Sequence, residues 1–236
     1  MNTFKLTRTD MVRLLYALQG QGDTSPLQIL IKSAKSANMT LDEAENHLYI
    51  PDFLTRFERK KERREYGLST NEIVELGNLC ELTSLKSTAV QNWVKRDIKD
   101  LIGHPELGKK YSIEQAVILL IVRDLKSIYD FEHIRVILKI AFNTITDRSD
   151  DIISPISYYE SCAQVIDYIH HKDSPPMKET SLQELVEQQT DKLRGCFKEL
   201  GSGQWEKIKA IIAVTVLSVL TFHIQTTAYK MTRHLL

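Results

Sequence analysis

Apolar residues recur at helical spacing along nearly the whole chain, and runs alternating with a period of two are almost absent. Val12, Leu14, Leu15 and Leu18 space like one helix face. Leu27, Leu30, Ile31 and Ala34 make a second after Pro26, a residue suited to a first helical turn. Thr40 and Glu43 have the spacing of a capping box and predict a third helix. Pro51 breaks the pattern ahead of a dense charged run, Arg56 to Glu65. A helix is predicted from Ser69-Thr70-Asn71-Glu72 to about Cys80, then an elbow, Leu82 to Leu85. Val90, Trp93, Val94 and Ile98 form the apolar face of a short basic helix, Ser87 to Lys99. A loop with Gly103, Pro105 and Gly108 leads to Lys109-Lys110-Tyr111-Ser112, the one β-like piece, and then to apolar helices over Ile113–Ile128 and Phe131–Phe142. Tyr158 to His171 is helical, Asp173-Ser174-Pro175-Pro176 is the clearest breaker, and Ser181–Leu200 and Trp205–Leu236 are the last two helices. The pattern predicts a mostly all-α protein with a small β wing. It divides into an N-terminal helical segment 1–48, a central domain 49–146 and a C-terminal helical segment 147–236.

Composition changes this picture little. With 236 residues, 42% of them apolar and 26% charged, the chain has ample material for a core. Lys plus Arg equals Asp plus Glu at 31 each, which excludes a wholly basic coat protein but permits one basic face. Cys80, Cys162 and Cys196 are far apart and lack zinc spacing; they read as reduced thiols in a cytoplasmic protein. No signal-peptide pattern follows Met1. Ala210 to Phe222 is almost wholly apolar, but His223, Gln225, Thr226 and Thr227 interrupt the run before it reaches the ~20 residues of a membrane span. A buried or dimer-forming helix and a membrane anchor both remain open.

Candidate chemistry is sparse. Dinucleotide, phosphate-loop, nucleophile-elbow and zinc-protease patterns are missing. His170 and His171 are adjacent, so on a helix they point about 100° apart and do not converge on one ion. Asp147, Asp150 and Asp151 lack the glycine and terminal Glu of a calcium loop. The expectation is a protein that is not an enzyme and holds no metal or cofactor.

The central zone points instead to double-stranded DNA. Ser87, Thr88, Gln91, Asn92, Lys95, Arg96 and Lys99 lie off the apolar face of the basic helix. Gln91 and Asn92 can make bidentate contacts to adenine, and Lys95 and Arg96 suit phosphates. Lys109, Lys110 and Tyr111 would bring two charges and a hydroxyl to the backbone from a wing, with Ser112 capping the next helix ahead of Glu114 and Gln115. Arg59, Lys60, Arg63 and Arg64 are further phosphate candidates, though Glu58, Glu62 and Glu65 interleave with them and a solvated helix surface is the plainer account.

At Lys110-Tyr111-Ser112-Ile113-Glu114-Gln115 and at Asp130-Phe131-Glu132-His133-Ile134 the chain resembles the MerR-like winged helix-turn-helix regulators, over roughly two-fifths of its length. From about Tyr49 to Phe142 it also looks like a poorly characterised bacterial family with a Gln-Asn-Trp-Val-Lys-Arg helix and a Lys-Lys-Tyr-Ser wing. It departs from the MerR pattern at Asn92-Trp93-Val94, where Arg-Tyr-Tyr is usual, and at Leu101 to Pro105, where a Gly-Leu-Leu form is common. The resemblance implies a transcriptional regulator with its recognition helix in the major groove and a homodimer formed by C-terminal helices. The alternatives are a protein-interaction module built on those helices and a membrane-tethered regulator.

Overall fold

The structure, a computed structural model, describes residues 4–37, 49–60, 66–144, 147–171 and 181–232. The Thr40–Glu43 capping box, Arg63 and Arg64, the Asp173–Pro176 breaker and the side chain of His171 lie outside the described residues. The fold is mostly helical, as the apolar spacing predicts, and no sheet is present among the described residues; three isolated bridges are the sole β pairing there. The chain forms two compact units, residues 1–120 and 121–236.

In the first unit, α1 (Arg8–Leu18) is capped by the Thr7 hydroxyl, and α2 (Pro26–Ser36) by a reciprocal Ser25–Gln28 capping box. α1 buries the face its spacing foretold, Val12, Leu14, Leu15 and Leu18, whereas α2 buries Leu30 and Ala34 but leaves Leu27 half-buried and Ile31 exposed, with Ile29 turned inward in their place. Ahead of α1, the backbone N–H of Leu6 donates to Leu79 and the carbonyl of Leu6 accepts from Glu81, at 2.8 and 2.9 Å. The start of the chain is thus stitched to the end of α4 (Thr70–Leu79). α3 (Asp52–Arg59) takes up the first part of the charged run and buries Phe53, Leu54 and Phe57. Phe57 meets Tyr66 edge to face at 4.8 Å.

Beyond α4 the backbone turns through Leu82, whose φ of 55° is in the left-handed region. It then enters α5 (Ser87–Asn92), a π-helical turn (Trp93–Asp97) and the single turn α6 (Lys99–Ile102). The expected straight helix from Ser87 to Lys99 is therefore replaced by a jointed one. Ile98, with φ −134° and ψ 26°, forms the joint, and its N–H bonds to the Trp93 carbonyl at 2.9 Å. Val90, Val94 and Ile98 are buried, while Trp93 is only half-buried, a correction to its predicted place on the anchoring face. α7 (Ile113–Leu125) follows and is buried along most of its length.

The second unit holds α8 (Phe131–Phe142), α9 (Pro155–His171), α10 (Leu182–Asp191) and α11 (Ser202–Thr232). The Asp130 carboxylate caps α8, and the hydrogen bonds it accepts from the N–H and ring of His133 hold it below the usual carboxylate range. Fully buried Tyr158 donates to the carbonyl of Ile211 at 2.9 Å and sits 2.6 Å from the Thr215 hydroxyl; burial pushes its phenol well up, so it acts as a neutral tie between α9 and α11. The predicted helix Ser181–Leu200 is shorter than expected. It passes into a 3-10 turn at Lys192–Cys196, and Arg194 donates to the carbonyls of Phe197 and Leu200 beyond that turn. α11 is long and apolar enough to cross a membrane by length and composition, yet half of its apolar window is buried within the molecule.

Candidate nucleic-acid interface

The geometry of the basic helix is set first by α4. Its Ser69–Glu72 capping box fixes the N-terminus. Gly77 lets the elbow and α7 press against α4: a Cβ there would lie 2.4 Å from Leu85 Cδ1 and 2.9 Å from Leu120 Cδ2. Asn78 then clamps the elbow, its side chain accepting from the Leu85 N–H at 2.8 Å and donating to the Leu85 carbonyl at 3.0 Å. Two-sided capture of one residue's backbone by an amide fixes where α5 begins. Apolar spacing carries no signal of it.

On α5 and the π turn, Thr88, Asn92, Lys95 and Arg96 are exposed, and Lys99 is exposed at the start of α6. Lys86, just before α5, is exposed as well. Ser87 and Gln91 are half-buried and turned to the protein: the Ser87 hydroxyl donates to Asn71 Oδ1 at 2.7 Å, and Gln91 reaches Ser87 at 3.4 Å. Asp100 is exposed beside the cationic residues and tempers their charge.

The expected wing is a two-residue turn. Leu107 and Lys110 exchange backbone hydrogen bonds at 3.0 and 3.1 Å around Gly108, whose φ is 69°, and Tyr111 pairs with Leu68 at 2.8 Å in both directions. Gly67 lets the turn approach, since a Cβ there would stand 2.7 Å from Lys110 Cβ. Of the three wing candidates, only Lys109 is exposed. Lys110 folds back on Glu72 at 3.2 Å and over the Tyr66 ring at 5.8 Å, and Tyr111 is buried, which raises its phenol. Lys110 is thus drawn back from the exposed tip that the sequence suggested, and the Tyr111 ring packs inward.

Glu72 joins the parts. Its carboxylate accepts from the Ser69 N–H, pairs with Arg56 of α3, and takes Lys110 from the turn. Burial pushes its carboxyl up, but the Ser69 hydrogen bonds and Lys110 outweigh burial and hold it below its ordinary value. Gln115 is the second hub, and all four of its amide valences are used. Its oxygen accepts from the N–H groups of Ser112 at 3.0 Å and Glu106 at 3.3 Å, and its nitrogen donates to the carbonyls of Ile102 at 2.7 Å and His104 at 2.8 Å. It thereby ties the end of the basic segment to the start of α7. Among the described residues, no group of three or more His, Cys, Asp or Glu could hold a metal ion.

A family model for a domain of unknown function (DUF1836) matches residues 47–162. The chain is 75% identical over 236 residues to the uncharacterized protein YkrK of Bacillus subtilis (strain 168), with all of both chains covered. No solved structure matches. The resemblance to MerR-like regulators is overturned by these matches, neither of which is to such a family. The Lys110–Gln115 stretch that helped carry it has a local cause instead: Tyr111 pairs its backbone with Leu68 and is buried, and Ser112 forms a capping box with Gln115, as any tight turn entering a buried helix can require.

Proposed function

We propose that this chain, which belongs to the family of YkrK and carries a DUF1836 domain, binds double-stranded DNA in a helix-turn-helix manner. α4, the clamped elbow and α5 are the two helices and their turn, and the jointed segment Ser87–Lys99 enters the major groove. One observation carries the reading. The segment is anchored by buried Val90, Val94 and Ile98, while Thr88, Asn92, Lys95, Arg96 and Lys99 stand exposed on its other side. An amide and a hydroxyl flanked by cations suit base edges between phosphates. Lys86 and Lys109 extend the phosphate contacts on either side, and Ser87 and Gln91 act through the position they give α5. Transcriptional regulation is the role such recognition of sequence would serve.

Fluorescence anisotropy with a labelled random-pool duplex tests the proposal. Native protein should bind, and selection from the pool should enrich a shared sequence. The double substitution Lys95→Ala/Arg96→Ala should weaken binding on every sequence and flatten its salt dependence, whereas Asn92→Ala should change the enriched sequence. Equal isotherms for native and double-variant proteins would refute this face as the DNA contact.

A further inference from the structure

α11 keeps one stripe that no part of the molecule fully covers. Ala210, Leu217, Ile224 and Met231 recur every seven residues, with Val214, Thr221 and Ala228 set between them. Ala210, Ile224, Ala228 and Met231 are exposed, and Val214, Leu217 and Thr221 are half-buried. The neighbouring faces are spent in the interior on Ile208, Ile212, Val216 and Val219, all fully buried. No Asp, Glu, Lys or Arg occurs from Ala210 to Tyr229. Alternating three- and four-residue steps over about 32 Å are the seam of a helix pair. The last turns, with Ile224 60% and Met231 66% exposed, extend that seam beyond the packing of the unit.

We infer that this stripe is the contact with a second copy of the chain, paired antiparallel and centred at the level of Val219. In that register Ala210 of one copy meets Ala228 of the other, Val214 meets Ile224, and Leu217 meets Thr221, each pair occurring twice. Small faces small at the ends, and large faces large or β-branched nearer the centre. Beyond Ala228 the same register sets the aliphatic stem of exposed Lys207 along exposed Met231 of the second copy at both ends, with no like charges facing. A parallel pair would set exposed Lys207, the next stripe position, against itself. Lipid is a poorer occupant, because half of the apolar window is already buried by the protein's own helices. The pairing is independent of whether the basic segment takes DNA.

Sedimentation equilibrium on the full chain without DNA should give twice the chain mass, and Leu217→Glu and Ile224→Glu should each give a single-chain mass with unchanged helical circular dichroism. In a Cys196→Ala background, which removes the one exposed thiol among the described cysteines, Ala210→Cys and Ala228→Cys chains should cross-link when mixed and neither with itself. A single-chain mass for the native protein at micromolar concentration would overturn the inference. So would Ala210→Cys linking to itself, or native chain sedimenting as a single copy with phosphatidylcholine vesicles.

Discussion

Gln115 and Glu72 decide more of the candidate interface than any residue on its outer face. Replacing Gln115 with Ala strands two N–H groups and two carbonyls in a half-buried loop, and should cost about 1–3 kcal/mol in urea denaturation, the penalty for leaving buried polar groups unpaired. The effect on DNA affinity should exceed that of any one exposed lysine, because Ile102 and His104 lose their tether. Glu72 has a folded carboxyl held below its ordinary value of 4.5. A depressed carboxylate stabilises the folded state above its unfolded pKa, and the contribution disappears as pH falls through the folded value. Native protein should therefore lose stability below about pH 4.5 more steeply than Glu72→Gln, as thermal melts across pH 3 to 7 would show. The sequence announces part of both roles. Ser69–Glu72 and Ser112–Gln115 carry the spacing of reciprocal caps, but the further bonds to Arg56, Lys110, Ile102 and His104 depend on residues brought together only by folding.

Among the elements, most helices were legible from apolar spacing alone, and Phe131–Phe142 has the bounds its periodicity predicts. The segment after the elbow was legible as basic and helical but not as jointed. Nothing in Trp93-Val94-Lys95-Arg96-Asp97 marks a π turn in the apolar spacing, since Val90, Val94 and Ile98 would share one face of a regular helix as well. The wing was legible as a turn from Gly108, but not the way half-exposed Lys110 folds back on Glu72 and the Tyr66 ring or the backbone pairing of buried Tyr111 with Leu68, since these partners lie at least 38 positions away. α4 and the elbow are pressed together at Gly77. Gly77→Ala should force Leu85 and Leu120 apart and cost about 1–3 kcal/mol, the usual penalty of overpacking, despite the better helix propensity of alanine. A melt equal to or above that of the native protein would show that the contact can relax.

For the molecule as a whole, the equal count of 31 cationic and 31 anionic side chains leaves no long-range pull on a polyanion. Any salt dependence of DNA binding must then come from local contacts. Lys86, Lys95, Arg96, Lys99 and Lys109 are exposed on one compact unit, so the log–log slope of affinity against salt should be about −4 to −5 if each neutralises one phosphate. A slope near zero in titrations from low to physiological salt would exclude phosphate contact by this set. The stitch between Leu6 and the residues flanking Cys80 has a practical side. The start of the chain is part of the elbow's support: a chain shortened past Leu6 loses both hydrogen bonds that steady the exit from α4. Trimming past Leu6 should therefore lower the DNA affinity proposed for α5, dozens of residues downstream, while the residues that α5 itself presents stay unchanged.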